Sequence, residues 1–283
     1  MKKVIVTGDD FGLAVPVNEA IAEAHEKGIL TTASLMVGGE AAADAVRRAQ
    51  QLPSLKVGLH LVLVEGQPIL PPERIPDLVD NQGQFQSRLF HAGVNYFFRP
   101  GIRRQLESEI RAQFAAFRDT GLPLDHVNAH NHFHLHPTVF NLLLKVGHDY
   151  SLRSVRFPHE PPFVSWRSSK RGLGKKLANH LFLAPWMSLM RRRLRNAHLR
   201  FNDFIFGIAD SGAMTTDLVL RFLGFLPEGV TEIYFHPAKR RCPQIDNTMP
   251  DYRHEEEFDA LVSARLLEKF QALSIQRIAF SDL

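Results

Sequence analysis

Cysteine is nearly absent from this chain of 283 residues: Cys242 stands alone, which excludes an internal disulfide framework and fits a reducing compartment. Long apolar runs are missing as well, none approaching the roughly 20 residues that span a bilayer. The N-terminus enters directly into Lys2-Lys3-Val4-Ile5-Val6-Thr7, without the charged, apolar and small-residue succession of a secretory signal. A cytoplasmic location is therefore the expectation. No shorter internal repeat is visible. The net charge of +4 is modest, and no recognised nucleic-acid module accompanies it. What remains is an ordinary soluble composition, 45% apolar and 23% charged, with ample material for a large core.

Histidine, by contrast, is concentrated. In His126-Val127-Asn128-Ala129-His130-Asn131-His132-Phe133-His134 a strand period of two puts His126, Asn128, His130, His132 and His134 on one face, with Val127 and Phe133 on the other. A packed core gains little from such a face. Imidazole is a common metal ligand and is easily poised for proton transfer near neutral pH, so the run is a candidate site. Pro137 closes it ahead of an apolar helical pattern.

Other polar residues fall at strand ends in the same way. Val4 to Thr7 reads as a strand running into Gly8-Asp9-Asp10-Phe11-Gly12, and adjacent carboxylates are tolerated when a cation lies between them or their tasks differ. Thr31 to Val37 is a second strand. Lys56 to Leu63 is a third, carrying His60, and a Pro-rich loop follows from Glu65 to Asn81. Arg153 to Pro158 is a short strand with Arg156, and Thr231 to Ala238 a strand ending in His236-Pro237. Phe258, Leu261, Leu267 and Phe270 mark a last helix, and Ile278 to Phe280 a last strand. Strands alternate with helices throughout. This predicts a single α/β domain over residues 1–283, a distorted TIM-like (β/α) barrel of about seven mostly parallel strands with its site at the C-terminal rim.

One stretch stands outside that alternation, an insert at about residues 163–203. Between Trp166 and Phe201 there are ten Lys or Arg and no Asp or Glu. Leu181 to Met190 forms an apolar centre in which Pro185 is expected to break a single helix. Basic flanks around such a centre suit a segment lying on an anionic membrane, a grip on an acidic or lipid-linked substrate, or packing on the body or a second subunit.

Asp10, His60 and His130 come from three strand ends and leave coordination positions open, which describes a catalytic divalent site for one metal ion. Mixed nitrogen and oxygen ligands suit Zn²⁺ or another transition ion, with Mg²⁺ as the alternative. Asp9 is the candidate general base. His236 is the candidate acid, with His132 and His134 close behind, and Glu65, Arg156 and Asn128 are candidate substrate contacts. A metal-dependent phosphoesterase and a non-enzymatic membrane-surface binding protein are the competing readings.

Four motifs in order, Thr7-Gly8-Asp9-Asp10-Phe11-Gly12, Gly58-Leu59-His60-Leu61 with Glu65-Gly66, His130-Asn131-His132-Phe133-His134, and Phe235-His236-Pro237, resemble the YdjC-like carbohydrate deacetylases over nearly the whole chain. The resemblance implies a distorted (β/α) barrel and divalent-metal-dependent removal of acetyl groups from N-acetylated amino sugars, soluble chitooligosaccharides among them. It places the metal on Asp10, His60 and His130, and the base on Asp9. The family usually has Asp, Ser and a second His where this chain has Asn128, Ala129 and Asn131. With the insert, these departures resemble the branch associated with hopanoid biosynthesis, implying N-acetylglucosaminyl bacteriohopanetetrol as a lipid-linked substrate and peripheral contact at the inner membrane face.

Overall fold

The computed structural model describes residues 2–87 and 89–283. Seven strands and eleven helices follow in chain order among the described residues: β1 (Lys2–Phe11), α1 (Val15–Lys27), β2 (Thr32–Leu35), α2 (Ala42–Gln51), β3 (Lys56–Leu61), α3 (Leu89–Phe98), α4 (Pro100–Asp119), β4 (Leu124–Ala129), α5 (Pro137–Asp149), α6 (Pro162–Ser169), α7 (Leu173–Asn196), β5 (Phe204–Phe206), α8 (Thr216–Phe225), β6 (Gly229–Phe235), α9 (Pro243–Thr248), α10 (His254–Leu261), α11 (Ala264–Ala272) and β7 (Gln276–Ile278). Proline sets many helix starts: α1, α4, α5, α6 and α9 each carry one in the first turn, where its missing N–H is no loss.

All strand pairings between these elements are parallel, in the order β4-β3-β2-β1-β6-β5, with β7 paired to Lys3–Ile5 of β1. A parallel sheet delivers every strand's C-terminal end to one rim, and its strands are covered on both sides. Val4, Ile5 and Val6 are accordingly all buried. The curled sheet is the TIM-like α/β architecture expected. Its two ends are joined by irregular chain: Arg156 N–H donates to Val127 O on β4 (3.0 Å), and Ile205 N–H on β5 donates to His159 O (3.0 Å).

That joining segment is where a strand from Arg153 to Pro158 was expected. Only isolated bridges, Val127 with Val155 and Ser154 with Arg200, form there. Pro158 cannot donate to a ladder, and the strand that follows β4 in the chain is instead β5, Phe204–Phe206, too short to show a period. The expected last helix is two, α10 and α11, parted at Val262-Ser263.

The insert also departs from expectation. α7 runs unbroken through Pro185. The carbonyl that loses its donor belongs to Leu181, 64% exposed, where water can serve it. The opposite face holds the helix down: Met187, Met190 and Leu194 are buried, and Trp186 Nε1–H donates to Leu135 O at 2.7 Å.

Candidate active site

A bulge in β1 creates the site. Gly8 pairs with Ala33 but Phe11 with Leu35, so β1 carries one extra residue, and Asp10 takes a left-handed φ of 61°. Neighbouring strand residues normally face opposite ways; the bulge lets Asp9 and Asp10 both turn into the barrel. Their neighbours there are different, and so are their tasks.

Asp10 meets two imidazoles. Its Oδ1 lies 3.3 Å from His60 Nε2 on β3 and 3.4 Å from His130 Nδ1 just past β4, all three residues being buried. Neither Asp10 oxygen nor His60 Nε2 has a hydrogen-bond partner. A buried carboxylate without donors is costly, and a cation between the three groups removes that cost. The separations fit one: ligands about 2.1 Å from a tetrahedral Zn²⁺ sit roughly 3.4 Å apart. The tautomer fits as well, because His60 Nδ1 lies 2.7 Å from Asn128 Oδ1 and donates to it, leaving Nε2 with its lone pair toward Asp10.

Asp9 meets a cation already present. Arg156 Nη1 donates to Asp9 Oδ2 (2.6 Å) and Nη2 to Oδ1 (2.9 Å), while Nε and Nη2 also reach Glu232 at 2.8–3.0 Å. Thr7 Oγ1 donates to Glu232 as well (2.7 Å), and the guanidinium lies over the Tyr234 ring, 4.7 Å from its centroid. Burial opposes charge on Asp9, but Arg156 and then His60 outweigh it and hold the carboxyl far below the usual carboxylate range. Arg156, expected to touch substrate, is instead wholly buried between two carboxylates.

The histidine run is not a strand throughout. β4 ends at Ala129, and a 3₁₀ turn over His130–Leu135 follows, with Asn131 and His132 at φ of 53° and 51°. The single face of five side chains is therefore split. His126 is buried between Asp125, Ser34 and Phe280, stacked on the last at 4.4 Å, and Gly58 leaves room for its ring, since a Cβ there would lie 2.4 Å from it. Asn128 is buried too, accepting from His60 and donating to Asp9 (3.1 Å) and Ser34 (2.9 Å), so it supports the site from within the protein. His134 is fully buried away from the cavity, and burial together with Arg156 pushes it down to about 3.

The cavity at the rim, about 230 Å³, is lined by Asp9, His60, Glu65, His130, His132 and His236 among others. His236 follows β6, its Nδ1 has no partner, and burial lowers it to about 4 against the pull of Asp10 and Asp9. His132 Nε2 sits 3.0 Å from Tyr234 Oη, and burial and Arg156 hold it well below the ordinary histidine value. Glu65 accepts from Asn131 Nδ2 at 2.7 Å.

Three residues escaped the sequence reading: Glu232 and Tyr234, just described, and Glu257, which accepts the backbone N–H of His236 (2.6 Å) and of Met214 (3.0 Å) and so ties two rim loops together. For the first two a signal existed. Glu232 and Tyr234 alternate along β6, and His236 continues the same period of two just past its end.

The sequence matches the model of the family described as YdjC-like protein over residues 3–272. It is 38% identical over 282 residues to a carbohydrate deacetylase of Brevibacillus brevis, covering 99% of both chains. With a carbohydrate deacetylase of Geobacillus stearothermophilus it shares 39% over 280 residues, 98% of this chain and 96% of the relative. Among solved structures, an Enterococcus faecalis protein provisionally named for cellobiose-phosphate cleavage superposes with a TM-score of 0.75 at 24% identity, over 99% of this chain and 98% of that one, and shares the fold. With the rim motifs, the sheet and these matches in agreement, the chain belongs to the YdjC-like family.

Proposed function

We propose that this protein is a metal-dependent carbohydrate N-deacetylase that hydrolyses the acetamide of an N-acetylated amino sugar. One observation carries the reading: an ionised Asp9 held by Arg156 lines one rim cavity with His60, His130 and His236, and behind it Asp10, whose oxygens have no hydrogen-bond partner, completes a set with the two histidines. Asp10, His60 and His130 would hold a divalent cation, which would supply positive charge to polarise an acetyl carbonyl and acidify water. The names of the relatives at 38% and 39% identity support the same chemistry.

The protein's own groups supply the proton transfers. Asp9 Oδ1 accepts from both Arg156 and Asn128, whereas Oδ2 accepts from Arg156 alone. Oδ2 thus keeps a lone pair to take the proton of the attacking water, and Arg156 fixes where that lone pair points. The proton that Asp9 takes from water is passed on to the departing amine nitrogen through His236, whose imidazole burial holds neutral and so able to accept that proton and hand it over. His132, tied to Tyr234, borders the same space. Glu65 lines the same cavity, which supports a role for it in receiving sugar hydroxyls.

The substrate we favour is N-acetylglucosaminyl bacteriohopanetetrol, reached from the inner membrane face, with the chain acting as one catalytic domain plus the 163–203 insert. Phe182 is 85% exposed and Phe163 62%, and basic side chains such as Lys175 and Arg192 are exposed on the same insert, which suits transient contact with anionic lipid. No helix among the described residues is long and apolar enough to cross a membrane. The phosphoesterase alternative loses its support, since Arg156 is wholly buried against Asp9 and Glu232 and does not line the rim cavity. Acetate release from the hopanoid glycoside in detergent, measured beside soluble N-acetylglucosamine oligomers, tests the reading; release from the oligomers alone sinks the hopanoid assignment, and release from neither sinks the deacetylase.

A further inference from the structure

Next to the rim cavity lies a second, larger one of about 860 Å³, walled by α7 on one side and by the segments around His159 and Ile208 on the other. Ile208 and Ser211 line both, so the two spaces adjoin. Their chemistry differs. The small cavity is crowded with titratable groups and is about the size of one sugar ring. The large one falls within the roughly 300–1,000 Å³ of ordinary small-molecule sites.

Arg171, Lys175, Asn179 and Ser188 line the large cavity where it is exposed to solvent, and most of the more buried polar groups along it are engaged with protein. Lys176 Nζ donates to Asp210 Oδ2 (3.1 Å) and Ser169 Oγ (3.0 Å), and Glu160 accepts from Ser165 Oγ and from the Ala209 N–H (3.0 Å). Arg191 donates to Asp203 O (3.2 Å) and lies over Phe157, 4.8 Å from its centroid. What the inner wall offers a ligand is Leu135, Phe157, Leu183, Ala184, Met187 and Ile208. Further sugar rings would need free donors and acceptors along their length, and a wall of this kind would leave their hydroxyls unpaired. An apolar group gains from the same wall.

We infer that this cavity is an aglycone site: the amino sugar whose acetamide reaches Asp9 carries an elongated apolar aglycone that lies beneath α7. The inference rests on the deacetylase reading for its sugar end only. It assigns α7 a second task, since the helix that exposes Phe182 outward presents Leu183, Ala184 and Met187 inward to the bound substrate.

Methyl, butyl and octyl β-N-acetylglucosaminides, titrated into the full-length, metal-reconstituted protein below their micelle-forming concentrations and followed by calorimetry, test it. Each buried methylene is worth about fourfold in affinity, so the octyl glycoside is expected to bind at least about 100-fold tighter than the methyl one. In Leu183→Glu, at a half-buried position, and in Ala184→Trp, which fills the cavity, that ratio falls to near one. Equal affinity for the methyl and octyl glycosides overturns the inference, as does a ratio unchanged in both variants. A gain with the length of N-acetylglucosamine oligomers and none with alkyl length also overturns it. Acetate assayed in the same samples separates the two readings: tight octyl binding without acetate removes the deacetylase and keeps the aglycone site, and acetate without chain-length dependence does the reverse.

Discussion

Arg156 and Asp9 meet through two parallel hydrogen bonds inside the barrel, Nη1 to Oδ2 at 2.6 Å and Nη2 to Oδ1 at 2.9 Å, with Glu232 on the same guanidinium. The fork fixes both the charge and the direction of Asp9. Lysine keeps the charge and loses the fork. Arg156→Lys should lower kcat at least about 100-fold through a misdirected base. Arg156→Met leaves two buried carboxylates unpaired and should cost about 3–5 kcal/mol of stability. Denaturant unfolding beside steady-state kinetics separates the two effects; a fully active Arg156→Met would show that the pair is dispensable.

Asn128 holds His60 by accepting from its Nδ1 at 2.7 Å, behind the proposed metal ligand. Removing such a partner typically weakens metal binding about 10–100-fold. Asn128→Ala should show that loss in a competition titration with a chelating dye while the fold persists by circular dichroism. Unchanged affinity would mean that the His60 tautomer is set by something else.

Glu257 links pH to stability. Burial pushes its carboxyl up to about 7 despite the backbone N–H groups of His236 and Met214 that it accepts. Raised above the unfolded value of 4.5, it favours the folded state fully below pH 4.5, and this contribution falls away as pH rises to 7, by about 3 kcal/mol. His236, depressed to about 4, works in the opposite sense, losing stability as pH falls below 6.5. Comparing urea midpoints of the wild type and Glu257→Gln between pH 4.5 and 8 isolates Glu257. The wild type should lose stability relative to the variant across that range, and parallel curves would contradict the assignment.

The exposed edge of α7 is a separate matter from catalysis. Leu181→Ser with Phe182→Ser should weaken binding to anionic liposomes in sedimentation assays, with any residual binding reduced further by salt. Arg191 and Arg193 contribute less than their charge suggests, because they lie over Phe157 and Phe140. Liposome binding equal to wild type in the double variant would remove the membrane contact from the account.

Much of this architecture was readable from residues alone, and the failures have physical causes. Apolar runs such as Val4–Val6 and Val57–Leu61 announce parallel strands because both faces are covered. Asp10, His60 and His130 stood out as strand-end polar groups, and the structure brings them within 4.8 Å of one another. The turn after Ala129 was hidden, since left-handed backbone at Asn131 and His132 needs no glycine to signal it. The bulge that turns Asp9 and Asp10 inward depends on pairing with β2, which no local pattern encodes. The unbroken α7 reflects an exposed carbonyl opposite Pro185, a tertiary fact.

The central claim is that Asp9 and the Asp10, His60 and His130 set together hydrolyse an N-acetylated amino sugar. The most direct measurement is acetate release from N-acetylglucosaminides by metal-reconstituted wild type, by the same protein after chelation, and by Asp9→Asn and His60→Ala. The account expects wild-type release to stop on chelation and return with metal, Asp9→Asn to keep its metal and lose at least about 100-fold in rate, and His60→Ala to lose both. Undiminished acetate release from the chelated protein or from Asp9→Asn would contradict it.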